Sequence, residues 1–429
     1  MILRDPVHGL VSFESDEESI VPALLEAQEV QRLRRIRQLG LTSYAYPGAD
    51  HTRFSHAVGA AFVMTRFIRR IRALDHDLPY WQRMTTERAR EALAAALLHD
   101  LGHGPFSHLF EDALPGPSHE DWTSRVLLDP ATEVHAILKR FDPGLPARVA
   151  ELVHGRHELT FLARAVSGSF DVDRCDYLLR DAHATGVGYG SFDLDWLLRS
   201  LRLGVSDRPG ASPPLAVDGA KGLPAIESFI LARLFMFQQV YFHKASRASE
   251  WLLTKILERA RVLSADGARL PAMPAALVSM AREGQTSLRD YLELDDMVLW
   301  VAISAWRSAS DPMLADLSTR LYARHLFKTY ELFGEQATPV GRIHALEAAR
   351  DVAKQHALDP QVYVGLDAAW DAPFDDSDEP LTVIFPAGPP RKPGDVSFLL
   401  GRLRGERLER TRLIFAPELR DGILEAIGA

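Results

Sequence analysis

The chain has 429 residues, 47% of them hydrophobic and 25% charged, enough to bury a large core and to divide into a main domain and a smaller one. A single cysteine excludes an intramolecular disulfide framework. With no basic leader before an apolar signal core, and no apolar run of the roughly 20 residues that span a bilayer, the expected compartment is the cytoplasm. The formal charge of −9 argues against broad nucleic-acid binding, yet says little about a small anion, whose charge local arginines and a metal can meet.

Up to about residue 310 the apolar spacing is helical. Val30, Leu33 and Ile36 lead into Arg37; Phe62, Phe67 and Ile71 mark a second helix; Leu93, Ala96 and Leu97 a third; Leu178 and Leu179 a fourth. A long run goes from Ile226, Phe229 and Ile230 through Leu234 and Phe237 to Trp251, Leu252 and Ile256, with a break predicted over 262–271. The turn-rich stretch 204–214 interrupts this pattern, and alternating Leu201 and Leu203, then Leu215 and Val217, predict a hairpin around it. Beyond Leu358, residues 362–364, 381–385 and 413–415 read as short strands separated by an acidic run, 375–379, and a proline-rich one, 386–393. The expectation is a mainly α protein: a helical bundle over 1–310 with an insertion near 204–220, then a small α+β region over 311–429.

The densest chemistry lies in Leu97-Leu98-His99-Asp100-Leu101-Gly102-His103-Gly104-Pro105. Gly102 and Pro105 alone would describe a helix stop followed by a helix start, but that leaves the histidines unexplained. Buried imidazoles and carboxylates need a cation or a strong hydrogen-bond network to offset their desolvation. His56 enters an apolar helical run, and Asp173 lies in the charged run from Asp171 to Asp181. Alone, each is an ordinary helix residue; in order they spell H…HD…D. Four ligands, His56, His99, Asp100 and Asp173, leave positions of an octahedral ion for water or substrate, and mixed nitrogen and oxygen donors admit zinc, iron, manganese, nickel or magnesium. Tyr177 and Asp181 follow Asp173 by four and eight residues and share its helix face. Ser118 can cap a helix opening at His119-Glu120, which explains the acids in its first turn. His119, with Glu120 as the assisting carboxylate, and His103 are candidates for proton transfer.

In this order and with these flanks, the set resembles the HD-domain metal-dependent phosphohydrolases. Asp5-Pro6-Val7-His8-Gly9, Gln31-Arg32-Leu33-Arg34-Arg35-Ile36-Arg37-Gln38-Leu39-Gly40 and Tyr46-Pro47-Gly48-Ala49 narrow it to the deoxynucleoside triphosphate triphosphohydrolase branch, which includes dGTPase-like bacterial enzymes. The similarity runs over about residues 1–244. It implies that His103 and His119 transfer protons, that Arg53, His108, Arg174, Tyr177 and Arg233 contact phosphates, that Gln38, Leu39 and Asp181 meet the sugar, and that Tyr241 stacks near sugar or base. Core packing is the plain alternative for Tyr177 and Tyr241. Arg174 stands where these relatives commonly carry lysine, so the charge is kept and the geometry altered.

The implied activity is hydrolysis of a dNTP to deoxynucleoside and inorganic triphosphate. The alternatives are another nucleotide or phosphate monoester in the same site, or a nucleotide-sensing or RNA-binding protein with vestigial catalysis. Gln31 and Arg34 match positions of a nucleotide-effector site in such relatives, while also fitting the polar face of an early helix. Glu26 would align with the acid that reads guanine; no basic segment precedes Ile2, and Asp195-Trp196 and the 206–221 region lack clear basic counterparts. The expectation is a homodimer or homotetramer whose basal activity does not depend strictly on dGTP or GTP.

Overall fold

The computed structural model describes all residues except 115, 207–209 and 377–380, and of His108 only the backbone. The middle of the turn-rich loop and most of the acidic run therefore lie outside the described residues. Two short strands open the chain, β1 (Ile2–Asp5) and β2 (Gly9–Ser12), paired antiparallel around the Asp5-Pro-Val-His-Gly turn. This hairpin has no counterpart in the sequence reading, because four-residue strands with exposed outer faces leave little period-2 signal.

Ten helices follow: α1 (Ile20–Leu25), α2 (Gln28–Arg32), α3 (Arg53–Arg72), α4 (Thr86–Leu98), α5 (His108–Ala113), α6 (His119–Leu128), α7 (Glu133–Phe141), α8 (Leu145–Val153), α9 (Thr160–Val166) and α10 (Val172–Thr185). The spacing from Val30 to Arg37 is not one helix. α2 stops at Arg32 and a 3₁₀ turn follows; the Arg37 amide donates to Asp296 Oδ2 (2.9 Å) and Arg37 bridges to Thr52, so tertiary bonds draw this backbone into an extended path. Thr85 caps α4, Ser118 and Asp121 form a capping box on α6, and Asp171 caps α10, satisfying amides that each helix start leaves open.

α11 (Leu194–Ser200) leads into the predicted hairpin, β3 (Leu201–Leu203) against β4 (Leu215–Asp218). α12 (Leu223–Met236) passes through a π turn over Phe237–Tyr241 into α13 (Lys244–Ala265). The predicted break at 262 begins only at Asp266, since Val262–Ala265 complete the last turn of α13. There follow α14 (Ala275–Glu283), α15 (Leu288–Leu292), α16 (Asp296–Trp306), α17 (Pro312–Tyr322), β5 (Lys328–Glu331), α18 (Pro339–Gln355), β6 (Val364–Asp371), β7 (Thr382–Ile384) and β8 (Leu408–Phe415). Val362 and Tyr363 are helical rather than extended, because Asp359 caps a short turn that starts at Pro360. β8 is central to an antiparallel sheet, β5-β8-β6, while β7 joins β4 in parallel. The fold is mainly α with small sheets.

Apolar side chains collect in two cores. One gathers Leu24, Met64, Leu97, Phe161, Leu178 and Phe229; the other joins α13, α16, α17 and α18 to the C-terminal sheet through Leu252, Ile303, Leu317, Ala349 and Leu413, and takes in Phe106, Phe110 and Trp122. The segment from His99 to Trp122 thus passes from one core to the other. Two glycines set the approach of its neighbours. A Cβ on Gly59 would collide with Asp176 and Arg180 of α10, and one on Gly102 with the backbone of His119 and Thr123 in α6.

Gly59→Ala is therefore expected to destabilise the protein by about 3 kcal/mol or more, combining overpacking with displacement of a buried ion pair. Gly188→Ala, whose added methyl meets nothing within 4 Å, is expected to leave the denaturation midpoint nearly unchanged. Urea unfolding of the two variants side by side measures both.

Candidate active site

Three helix ends meet at one point. His56 lies in the first turn of α3, His99 and Asp100 in the turn after α4, and Asp173 in the first turn of α10. Nε2 of His56 lies 3.3 Å from Nε2 of His99, and these two atoms stand 3.0 and 3.4 Å from Asp173 Oδ1. Asp100 completes the group, with Oδ2 at 3.7 Å from His56 Nε2 and Oδ1 at 3.5 Å from His99 Nε2.

Both rings are held so that Nε2 faces inward. His56 Nδ1 donates to Asp176 Oδ2 (2.8 Å), and His99 Nδ1 donates to the Ala96 carbonyl (3.0 Å). Asp176 is itself fully buried, accepting from His8 Nε2 (2.6 Å) and from the Arg180 guanidinium at 2.8 and 2.9 Å. Arg180 reaches on to Asp5 (2.8 Å), whose other oxygen accepts the Val7 and His8 amides. The Asp5-Pro-Val-His-Gly motif is thus a buttress for the histidine cluster. Asp176 was not singled out in the sequence, although it follows Asp173 by three residues on the same helix.

This donor set fits a divalent cation. Ligands about 2.1 Å from one ion stand about 3.0 to 3.4 Å apart, the separations seen between His56, His99 and Asp173. The electrostatics point the same way. Burial works against a charged His56, but Asp173 and Asp176 outweigh it and push the ring up to about 10. Burial likewise opposes charge on His99, and Asp100 and Asp173 raise it nonetheless. The carboxylates around these rings call for positive charge, which a cation would supply in place of protons.

Beside this cluster His103 and His119 stack, ring centroids 4.0 Å apart and nearly parallel. His103 Nε2 lies 3.3 Å from Asp100 Oδ1. Glu111 of α5 stands between the two rings, 3.1 Å from His119 Nδ1 and 3.7 Å from His103 Nδ1. The carboxylate against His119 is therefore Glu111 and not Glu120. Glu120 adjoins His119 on α6, so the helix turns it away toward His154, at 3.7 Å, with its side chain mostly exposed. Burial and the nearby Arg53 push His103 well below its ordinary value; burial also opposes charge on His119, but Glu111 overrides it and raises that ring. The two stacked rings are thus pushed in opposite directions.

A cavity of about 490 Å³ opens onto these groups. Gln38, Leu39, Arg53, Tyr177, Asp181 and Tyr241 line it together with Asp100, Asp173, His103 and His119. Arg53 binds Asp100 through Nη1 and Ser107 Oγ through Nε and Nη2, at 3.0 and 2.7 Å. Phe106 and Ser107 both have positive φ, a strained path that the Asp296 carboxylate holds by accepting the Phe106 amide (2.8 Å). Tyr241 donates to Asp181 Oδ2 (2.7 Å), and His51 donates to Oδ1 (2.8 Å). Arg174 is half-exposed beside Asp171, its Nε 3.7 Å from Oδ2.

Arg233 and the effector candidates Gln31 and Arg34 are not among the residues that line this cavity. Arg233 lies over the Phe237 ring (5.1 Å) beside the cavity, donating to Asp371 Oδ1 (2.6 Å) and to the Ala372 and Pro373 carbonyls (2.9 Å each), while its Nε has no partner among the described residues. Gln31 bonds the Leu25 carbonyl and accepts from Arg34, whose guanidinium lies 3.5 Å over the Phe54 ring. The side chain of His108 is outside the described residues. Arg247 of α13, held by Asp367 and Glu250, also lines the cavity; it arrives from a distant segment that carried no motif.

A histidine–aspartate cluster and a stacked histidine pair thus sit side by side at helix ends of the bundle. The chain belongs to the HD-domain phosphohydrolase family, and an HD domain is matched over residues 53–181. It is 36% identical over 374 residues to the uncharacterized protein YwfO of Bacillus subtilis, covering 87% of this chain and 81% of that one. It is 33% identical over 198 residues to the deoxynucleoside triphosphate triphosphohydrolase SAMHD1 homolog of Dictyostelium discoideum, spanning 36% of that protein's length. The crystal structure of a phosphohydrolase from Bacteroides thetaiotaomicron superposes with a TM-score of 0.81 at 29% identity, covering 97% of this chain and 99% of the other. Among the described residues no helix is long and apolar enough to cross a membrane.

Glu111→Gln removes the charge that raises His119. A general acid works only while protonated, so the alkaline limb of the kcat profile is expected to move to lower pH, with bound metal unchanged. Chromatographic quantitation of nucleotide substrate consumed across pH, on wild type and variant, reads this; an unmoved limb would contradict the assignment of Glu111.

Proposed function

We propose that the protein hydrolyses dNTPs to deoxynucleoside and inorganic triphosphate, by water attack at the α-phosphorus. The observation that carries this reading is the cavity itself, which joins the hydrolytic cluster to Gln38, Leu39, Asp181 and Tyr241 in a volume suited to a nucleotide. The partial match to triphosphohydrolases supports it.

A divalent cation of the manganese, iron, nickel, zinc or magnesium type, held by His56, His99, Asp100 and Asp173, would lower the pKa of the attacking water and polarise a phosphoryl oxygen. Arg53, oriented by Ser107, places positive charge where the α-phosphoryl oxygens gain negative charge. Tyr177 and Arg174 extend this toward the remaining phosphates. His119, whose protonated form Glu111 favours, donates its proton to the departing 5′ oxygen, and His103, pushed down by burial and Arg53, stacks beside it as the acceptor side of the pair. Asp181, fixed by His51 and Tyr241, orients the sugar with Gln38 and Leu39.

Arg233 pairs with Asp371 through Nη2, which leaves its unpartnered Nε as the donor for a phosphate contact. The engagement of Gln31 and Arg34 with each other and with Phe54 supports basal turnover that needs no dGTP or GTP, and the assembly we propose is a homodimer or homotetramer.

Metal-loaded protein, its assembly checked by light scattering, is incubated with each dNTP, NTP and nucleoside monophosphate, alone and with added dGTP, and products are separated by ion exchange. Triphosphate plus deoxynucleoside is expected without dGTP, and His119→Ala should lose about 10²–10⁴-fold in turnover. Orthophosphate from monophosphates, with triphosphates untouched, would replace this reading with the monoesterase one; strict dependence on dGTP would overturn the effector reading alone.

A further inference from the structure

Two adjacent aspartates at the start of α16 do different work. Asp295 caps the helix, accepting the Val298 amide (2.9 Å), and takes Arg35. Asp296, buried beside it, is not needed for that cap and spends both oxygens outside the helix. Oδ2 accepts the Arg37 amide (2.9 Å) and Oδ1 the Phe106 amide (2.8 Å), 259 and 190 positions away in the chain. One carboxylate thus clamps two backbone segments that both border the catalytic cavity, one through Gln38 and Leu39, the other through Phe106 and Ser107.

Arg53 is held between these segments. Its amide donates to the Ile36 carbonyl (2.9 Å), in a short ladder that continues through the Arg37–Thr52 bridge and the bond from the Gln38 amide to the His51 carbonyl (3.0 Å). Its guanidinium donates to Ser107 Oγ at 3.0 and 2.7 Å. The clamp therefore reaches Arg53 at both its backbone and its charged end. The Ser107 side needs it more, because Phe106 and Ser107 have φ of 54° and 60°, a path that residues other than glycine leave unless neighbours hold them. Trp300, one turn along α16, meets the Phe106 ring edge-on at 5.8 Å between centroids, so the same helix holds Phe106 by ring and by amide.

Given the hydrolytic reading above, in which Arg53 meets the charge developing on the phosphoryl oxygens, we infer that Asp296 is a positioning residue: by clamping the two segments it fixes the Arg53 guanidinium on Ser107. Only a carboxylate serves, since each amide needs its own acceptor. In Asp296→Asn one oxygen remains, and an NH₂ faces the second amide. The group displaced acts on the transition state, so kcat carries the loss and KM does not.

Turnover is measured on metal-loaded, full-length protein, with whichever phosphate substrate the wild type consumes, for Asp296→Asn, Ser107→Ala and the double variant. Each single variant is expected to lose about tenfold or more in kcat per bound metal, with KM within about twofold of wild type. The double variant should be no slower than the slower single one, because both changes act through Arg53. Losses that multiply would overturn the inference, as would an unchanged kcat in Ser107→Ala, which leaves Asp296 in place and so does not depend on how the Asp296 variant folds. A crystal structure of Asp296→Asn needs no turnover and separates this outcome from failure of the dNTP reading. Arg53 drawn away from Ser107 is the expected result; Arg53 still bonded there would overturn the inference whatever the substrate.

Discussion

The structure depends on one buried carboxylate. Asp176 accepts from His8, His56 and both arms of Arg180, and through them ties the N-terminal hairpin, α3 and α10 into a single unit. A buried charge with so many partners persists only if all are in place, since loss of one leaves the others unpaired in a low-dielectric interior. Gly59 lets α3 approach closely enough for these bonds to form. The result is a fixed His56 ring with Nε2 aimed at His99 and Asp173, which is the orientation a ligating imidazole needs from the groups behind it.

The same economy of charge organises the rest of the site. Carboxylates outnumber fixed cations around His56 and His99, so both rings are raised, whereas Arg53 presses on His103 and lowers it. Two stacked imidazoles only 4.0 Å apart are therefore pushed in opposite directions, His103 down by burial and Arg53, His119 up by Glu111 against burial. Gly102 brings α6 against the His99–Gly102 turn, where Thr123 Oγ1 accepts the Gly102 amide (2.9 Å) and donates to the His99 carbonyl (3.1 Å), keeping the stacked histidine pair and the histidine–aspartate cluster in register.

Much of this was legible in the sequence. His56, His99, Asp100 and Asp173 meet because each sits at a helix end whose apolar periodicity was plain, and the hairpin around 204–214 followed from alternation on both sides of a turn. What escaped has physical reasons. The path from Leu33 to Arg37 obeys a bond to Asp296, some 260 positions away, which local periodicity does not encode. Glu111 replaced Glu120 because the partner of His119 lies across a helix pair and not beside it in the chain. Arg233 pairs with Asp371 of β6 beside the cavity, and Arg247 entered the cavity from α13 without any motif to announce it.

The central claim is that the cluster backed by Asp176 holds a divalent cation on which hydrolysis depends. Mass-spectrometric metal analysis of the purified protein, with His99→Ala/Asp100→Ala beside it, tests that most directly. About one tightly held divalent ion per chain in the wild type, absent from the double variant together with phosphohydrolase turnover, is the predicted result. Equal metal content and equal turnover in the two proteins would contradict it.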